Sequence, residues 1–243
     1  MDDLPGQMQS VWSAVVGSTG GRGATVMFIS ARSGTGTSYC ARAFAQLAAA
    51  RAPRSAWLVD LDLFSNGQFS AMGGDSAGWP GPYDMTFGRS PFWRATPRSP
   101  DGSQGEGVIV GYRVGASKLF VSAFRRDALV PGQTLQVTPA ADYWRTLATA
   151  VDMTVVDAPA LERSRAALAL VADMDATVLV VDGRAGDPAD ALELRDEILA
   201  RGGKVLGAVV VEPDRRRGRH DGAGSPAGKG AGGLFGLWRG RAA

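Results

Sequence analysis

Short, uninterrupted runs of hydrophobic β-branched residues recur along the chain and are separated by segments with apolar residues at helical spacing. Runs that do not alternate with polar residues are typical of strands covered on both faces. Strands are predicted at Val26–Ile29, Trp57–Val59, Met153–Val156, Thr177–Val181 and Val205–Val211. Helices are predicted at Thr37–Arg51, Ala140–Val151, Arg163–Val171 and Pro188–Arg201. This alternation indicates an α/β fold with a doubly wound, mainly parallel sheet and helices on both faces.

Two stretches, residues 73–107 and 213–243, depart from this alternation. The first is rich in Gly, Pro and Ser and is predicted to be an irregular insertion. Its aromatic residues either pack onto the sheet edge or face a partner, and packing is expected because large apolar rings are usually covered. They are Trp79, Tyr83, Phe87, Phe92 and Trp93. The second stretch contains nine glycines and is predicted to be a flexible tail after a domain at 1–212.

Charge is unevenly distributed along the 243 residues. The formal net charge of +2 combines +5 in residues 213–243, which hold seven basic and two acidic residues, with −3 in residues 1–212. A body without a basic field does not favour a nucleic-acid partner. The single cysteine excludes an intramolecular disulfide framework. No signal-peptide pattern opens the sequence, and the apolar runs are far shorter than the roughly 20 residues of a spanning helix, so a cytoplasmic location is expected.

A Gly-rich segment, Ser30-Ala-Arg-Ser-Gly-Thr-Gly-Thr-Ser38, joins the first predicted strand to a helix, which is the setting of a phosphate-binding loop. Against the pattern G-x-x-x-x-G-K-[ST], Ala31 takes the first small position and Thr37 takes the position of the lysine. Backbone amides of such a loop still attract an anion. The residues predicted to contact nucleotide phosphates are Arg32, Gly34, Thr35, Gly36, Thr37 and Ser38.

Without the lysine, the loop is expected to keep phosphate binding but to lose catalytic turnover. A charge-assisted contact of this kind contributes about 1.5–3 kcal/mol to binding. Loss of one such donor costs roughly a hundred- to a thousandfold in rate. Arg32 is the alternative cation, although a guanidinium does not replace an ammonium in a tight loop. An ordinary strand-to-helix turn without a ligand is the remaining alternative.

Three aspartates follow predicted strands at the same edge of the sheet. Asp60 and Asp62 end the run Trp57-Leu-Val-Asp-Leu-Asp62, and Asp157 ends Val155-Val-Asp157 in the manner of a Walker B element. Ser38, Asp60 and Asp157 are therefore the predicted ligands of a Mg²⁺ ion, if one binds. The alternative to metal binding is that Asp60 caps the loop and that Asp62 faces water.

Five successive motifs resemble those of the MinD/ParA class of deviant P-loop ATPases. Within that class, the sequence is most similar to the cytoplasmic domain of bacterial tyrosine autokinases that govern exopolysaccharide export, over roughly Gln7–Glu212. The motifs are Ile29–Ser38, Leu58–Asp62, Val155–Pro159, Ala176–Asp182 and Leu206–Val211. The resemblance also implies a helix at Gln7–Val16 and a middle strand at Lys118–Phe124.

Several family features are absent from this sequence. Thr37 replaces the catalytic lysine, and Arg32 occupies the position of the signature lysine of the MinD/ParA relatives. The Arg after the D-x-D pair, the Asn after the last strand and the tyrosine-rich tail are also missing. The vestigial catalytic residues would be Asp60, Asp62 and Asp157. The resemblance therefore implies a catalytically impaired regulator, with weak binding of ATP or ADP with Mg²⁺ at most.

The resemblance also implies that the partner is a membrane chain-length or export protein and that the domain lies peripherally at the inner membrane. Whether the chain forms a homo-oligomer is left open. Two alternatives remain: an active but unusual Mg-ATPase or tyrosine autokinase, and a positioning protein of the MinD/ParA type. In the tail, an apolar cluster lies beside Arg239 and Arg241. This cluster either contacts an anionic membrane or a groove of a partner, or it is the incidental apolar end of a solubilising extension. The cluster comprises Leu234, Phe235, Leu237 and Trp238.

Overall fold

A computed structural model describes residues 4–20, 23–98 and 107–212. Within these residues the α-helices are α1 Leu4–Thr19, α2 Thr37–Arg51, α3 Gly67–Ala71, α4 Gly74–Ala77, α5 Ala141–Ala150 and α6 Pro188–Ala200. The strands are β1 Ala24–Ile29, β2 Ala56–Asp60, β3 Tyr83–Asp84, β4 Trp93–Thr96, β5 Ile109–Arg113, β6 Leu119–Phe124, β7 Thr134–Val137, β8 Met153–Asp157, β9 Ala176–Asp182 and β10 Val205–Val211. The predicted tail at 213–243 lies outside the described residues.

Eight strands form one sheet in the order β10-β9-β1-β8-β2-β6-β5-β3. Pairing is parallel from β10 to β6, whereas β5 runs antiparallel to β6 and to β3. The predicted α/β class with a mainly parallel sheet is therefore confirmed. The antiparallel edge consists of β5 and β3, neither of which is predicted from the sequence; β3 lies in the predicted insertion and β5 directly follows it.

Helices cover both faces of this sheet, which explains why the central strands are uniformly apolar. One face packs against α1 and α2, through residues such as Val11 and Phe44. The opposite face packs against α5 and α6, through residues such as Leu147 and Ile198. None of the helices in the described part of the chain is long and apolar enough to span a bilayer.

The predicted helix at Arg163–Val171 is wrong. The segment forms two short 3-10 helices, Ala166–Ala169 and Val171–Asp173. The Ser164 hydroxyl accepts a hydrogen bond from the amide of Ala166, and backbone bonds in the segment close over three residues. A serine that bonds to the backbone in this way competes with α-helix formation. Apolar spacing alone does not reveal that competition.

Aromatic residues of the predicted insertion largely pack on the sheet. Phe92 and Trp93 are buried, and Phe92 stacks on Trp144 of α5 with ring centroids 4.9 Å apart. Strands β4 and β7 form a separate two-stranded sheet beside this cluster. Trp79 and Phe87 are partly buried, and Tyr83 keeps 42% of its surface exposed although its ring contacts Phe120.

Candidate functional site: an incomplete phosphate-binding loop

The loop between β1 and α2 has the backbone of an anion-binding turn. Gly34 and Gly36 have φ angles of +78° and +89°, which favour glycine, and Gly36 is the N-cap of α2. No side chain caps this helix, so the first amides of α2 are available to a ligand. The loop, the end of β8 and the residues after it enclose a cleft of about 190 Å³.

Thr37 occupies the lysine position but directs its hydroxyl into the loop. Its Oγ1 donates to Ser30 Oγ at 2.9 Å and lies 3.0 Å from Thr35 Oγ1. Ser30 Oγ in turn donates to the carbonyl oxygen of Arg32 at 2.9 Å. All three hydroxyl-bearing residues are buried. The side chain at the lysine position is therefore neutral and committed to holding the loop together.

Arg32 does not line this cleft, so the prediction that it contacts nucleotide phosphates is wrong for this conformation. Its guanidinium forms two hydrogen bonds with Asp190 of α6, at 2.7 and 3.1 Å, and lies 3.5 Å from Glu162. The Asp190 hydrogen bond and charge raise the pKa of Arg32 further above its ordinary value. Glu162 also accepts a hydrogen bond from the amide of Ser33 at 2.6 Å. These contacts hold Arg32 in a neighbouring cleft against α6.

Asp60 and Asp157 are brought together because β2 and β8 are adjacent and these two residues are register partners. Asp60 is buried, and both of its oxygens accept backbone hydrogen bonds, from Asp62 at 2.9 Å and from Gln68 at 3.0 Å. Burial, followed by the charge of Asp157, raises the pKa of Asp60 to about 7. Asp60 therefore acts as a buried acceptor for the loop that follows β2, and its oxygens do not line the cleft.

Asp157 lines the cleft, and one of its carboxylate oxygens has no hydrogen-bond partner. Its Oδ2 accepts a hydrogen bond from Gln68 Nε2 at 2.6 Å, whereas Oδ1 is buried without a hydrogen-bond partner. Burial raises the pKa of Asp157 to about 6, and the Gln68 amide and the Ser38 hydroxyl oppose that rise. A buried acceptor without a partner beside a serine hydroxyl is chemically suited to a hydrated Mg²⁺ ion. Ser38 and Asp157 are thus the predicted ligands whose geometry fits.

Gln68 is a site residue that the sequence did not single out. Its amide nitrogen bonds to Asp157 and to the carbonyl oxygen of Ser38, and its Oε1 accepts from Arg42 Nε at 2.8 Å. Its backbone amide binds Asp60, so one residue connects the loop, both aspartates and α2. A lone glutamine after a strand carries no sequence signal for this role.

Arg163 is a second site residue that the sequence does not single out, because the hydrophobic pattern places it only at the start of a predicted helix. It lines the cleft and pairs with Asp62, with Nη2 3.0 Å from Oδ2. Both side chains are partly exposed, so the cleft carries a guanidinium at its mouth. Within the described residues, no group of three or more Asp, Glu, His or Cys side chains is arranged to hold a metal ion.

The structure brings most of the predicted site residues to a single cleft. Its lining includes Gly34, Thr35, Gly36, Thr37, Ser38, Asp62 and Asp157. Asp60 lies beneath this cleft and Arg32 lies beside it. The arrangement offers backbone amides, a serine, one free carboxylate oxygen and a guanidinium at the mouth, but no lysine ammonium.

Comparison with known proteins extends the fold assignment. No protein-family profile and no curated protein matches the sequence. The kinase domain of the Escherichia coli tyrosine kinase ETK superposes with a TM-score of 0.57 at 12% identity, over 94% of this chain and 79% of that one. The VpsO kinase domain gives a TM-score of 0.56 at 15% identity, over 86% and 98% of the two chains.

A third similar structure is the septum site-determining protein MinD of Pyrococcus horikoshii, solved in complex with Mg-ADP. Its TM-score is 0.52 at 16% identity, over 77% of this chain and 69% of that one. These similarities show that the chain has the P-loop NTPase-like fold of bacterial tyrosine kinase domains and MinD-like proteins.

Proposed function

We propose that this chain is a catalytically impaired, kinase-like regulator of exopolysaccharide biosynthesis or export. The observation that carries the proposal is Thr37, whose buried hydroxyl is bonded inside the loop where a P-loop kinase presents an ammonium. A transferring phosphoryl group develops charge that fixed cations must stabilise. Thr37 supplies none, and Arg32 is held by Asp190 and Glu162.

The assignment to polysaccharide export rests on the similarity of the sequence motifs to those of the export-associated autokinases. The kinase-domain folds of ETK and VpsO support the same class of protein. We propose that the domain acts at the inner membrane by binding a membrane chain-length or export protein. In that role the fold is a binding scaffold whose conformation, rather than phosphate turnover, carries the signal.

Bound nucleotide would be held weakly in this scheme. The loop amides would contact its phosphates, and Ser38 and Asp157 would hold a Mg²⁺ ion that neutralises phosphate charge. One oxygen of Asp157 is already bonded to Gln68, which leaves only Oδ1 for a water or a metal. Nucleotide binding without efficient turnover is the behaviour expected of such a site.

The direct test is a comparison of the wild-type protein with Thr37→Lys. We expect the wild type to show neither release of inorganic phosphate from Mg-ATP nor self-phosphorylation. Thr37→Lys should bind ADP more tightly, by roughly tenfold to a hundredfold, because it restores a charge-assisted contact of about 1.5–3 kcal/mol. Thr37→Val is the matched control, since it removes the hydroxyl without adding charge. Brisk turnover by the wild type, lost in Asp157→Asn, would overturn the proposal.

An active but unusual Mg-ATPase is the second candidate function, and one specific observation favours it. Arg163 places a guanidinium at the mouth of the same cleft, where it pairs with Asp62. If this cation replaces the lysine, the wild type hydrolyses Mg-ATP and Arg163→Ala abolishes that activity. Arg165→Ala is the matched control, because Arg165 is also exposed but pairs with Glu197 away from the cleft.

The regulatory role has its own test in the cell. Deletion of the gene should alter the amount or chain length of exported polysaccharide, and the wild-type gene should restore it. Because turnover is not required, Asp157→Asn should restore the phenotype as well as the wild type does. Failure of Asp157→Asn at normal protein levels would indicate that nucleotide chemistry is needed.

A further inference from the structure

An apolar groove lies between α6 and β10. We call it the α6–β10 groove. Leu192 and Leu199 of α6 line one wall, and Val205, Ala208 and Val210 of β10 line the other. Its volume is about 540 Å³, nearly three times that of the phosphate cleft. No feature of the phosphate cleft uses these residues.

The groove exposes more apolar surface than the fold requires. Only Leu194 and Ile198 of α6 are buried, whereas Leu192 and Leu199 keep 38% and 50% of their surface exposed. Strand β10 is at the end of the sheet order, and its seven residues are all apolar or glycine. Long apolar edge strands are usually protected, since an open edge pairs with other chains.

The segment best placed to cover this groove belongs to the same chain. Residues 213–243 follow directly from β10, and their only large apolar side chains form one cluster. We call Leu234, Phe235, Leu237 and Trp238 the tail cluster. Twenty-one residues separate it from residue 212, a contour of up to about 70 Å. The 13-residue α6 is only about 20 Å long, so the tail cluster reaches any part of the groove.

Among the residues that the structure describes, the groove lining carries one charged side chain, that of Arg195, which pairs with Asp196 of α6. Two other acidic residues of α6, Asp190 and Glu197, pair with Arg32 and Arg165. The +5 charge of the tail therefore gains little at this surface, and the match between tail and groove is apolar.

We infer that the tail cluster binds the α6–β10 groove of its own chain. Tethering gives the cluster a local concentration on the order of millimolar, so a weak apolar contact is sufficient for occupancy. Helix α6 also holds Arg32 through Asp190. A docked tail would therefore contact the helix that positions Arg32. The inference stands on the groove and the tail, and does not depend on the proposed function.

Hydrogen exchange of the full chain, followed by mass spectrometry, tests this contact. We expect the amides of β10 and α6 to exchange about tenfold faster in the double variant Leu237→Ser, Trp238→Ser than in the wild type. Leu199→Glu should accelerate the same amides, because it places a charge in the groove. Val130→Glu is the matched control, since Val130 is 48% exposed and does not line the groove.

The alternatives give different outcomes. Protection that appears only at high protein concentration would indicate a second copy and would overturn the inference. Exchange rates of the β10 and α6 amides that change in neither the tail variant nor the groove variant would also overturn the inference. So would binding of the tail cluster to anionic phospholipid vesicles if the β10 amides show no protection from exchange. Circular dichroism of each variant establishes that it is folded. Folding should persist, because Leu199 keeps 50% of its surface exposed and no buried core residue that the structure describes is substituted.

Discussion

Neutralising Asp157 should stabilise the folded protein at neutral pH. Asp157→Asn keeps the acceptor for Gln68 Nε2 and places the new amide nitrogen where Oδ1 has no partner. The substitution is nearly isosteric, so no cavity forms. It also removes the charge that contributes to the raised pKa of Asp60. The dominant effect is therefore electrostatic, and its sign follows from the direction of the pKa shift.

The expected magnitude comes from the shift of the Asp157 pKa from 3.8 to about 6. A raised pKa means that the folded state binds the proton more tightly than the unfolded state does. The stabilising contribution of the neutral form is thus complete below pH 4 and is lost as pH rises through about 6. Roughly two units at about 1.4 kcal/mol each give an upper value of ~3 kcal/mol above pH 7. For a domain of this size that corresponds to roughly 6–12 °C in Tm.

Urea and thermal unfolding of both proteins at a series of pH values between 4 and 8 provide the assay. The two proteins should be nearly equal at pH 4, and Asp157→Asn should gain stability as pH rises. Asp152→Asn is the matched control with the opposite sign. Burial opposes ionisation of Asp152, but hydrogen bonds from the backbone and side chain of Arg54 outweigh it and lower its pKa. Its neutralisation should therefore destabilise the protein at pH 8.

A neutral or destabilising effect of Asp157→Asn at pH 8 would refute this reasoning, and so would a difference that does not vary with pH. Mg-ADP provides a second comparison on the same two proteins. If Asp157 Oδ1 holds Mg²⁺ with a bound nucleotide, Mg-ADP should raise the Tm of the wild type more than that of the variant.

Three further predictions concern stability alone. Gln68→Leu should destabilise the protein by about 1–3 kcal/mol in urea unfolding, because it leaves Asp157 without its donor; an unchanged midpoint would contradict the bridging role. Gly111→Ala should cost about 1–3 kcal/mol, since its Cβ would lie 2.6 Å from the ring of Trp57, and a wild-type Tm would show that the ring moves freely. Arg32→Ala should leave the urea-unfolding midpoint nearly unchanged, as expected for an exposed ion pair, and a clear loss would mean that the pair is structurally essential.

Much of the central fold is predictable because the parallel strands are buried on both faces. The short length and β-branched residues of a run such as Met153–Val156 favour a buried strand over a helix, and the structure extends this one by a single residue to Asp157. The predicted helix at Arg163–Val171 fails because one serine hydroxyl redirects the local hydrogen bonding. The hydrophobic pattern therefore predicts whether a segment is a strand or a helix where burial dominates. It does not where a side chain competes for the hydrogen bonds of the backbone.

The candidate site shows the same division. The glycine spacing and the strand-end aspartates are local features, and they predict the cleft at the correct edge of the sheet. Gln68 and Arg163 reach the cleft only because the chain folds back, and neither has a local signature. The direction of Arg32 was also not predictable, since its partner Asp190 is 158 residues away in the sequence.

By itself, the sequence determined the parallel strands of the central sheet, the helices α2, α5 and α6, the loop at 30–38 and the absence of a lysine from it. Only the tertiary structure decided which side chains meet: Thr37 with Ser30, Asp157 with Gln68, and Arg32 with Asp190. The physical reason is that burial along a strand is set by local hydrophobicity. Hydrogen bonds and ion pairs are instead set by distances of about 3 Å, which only the packed chain specifies.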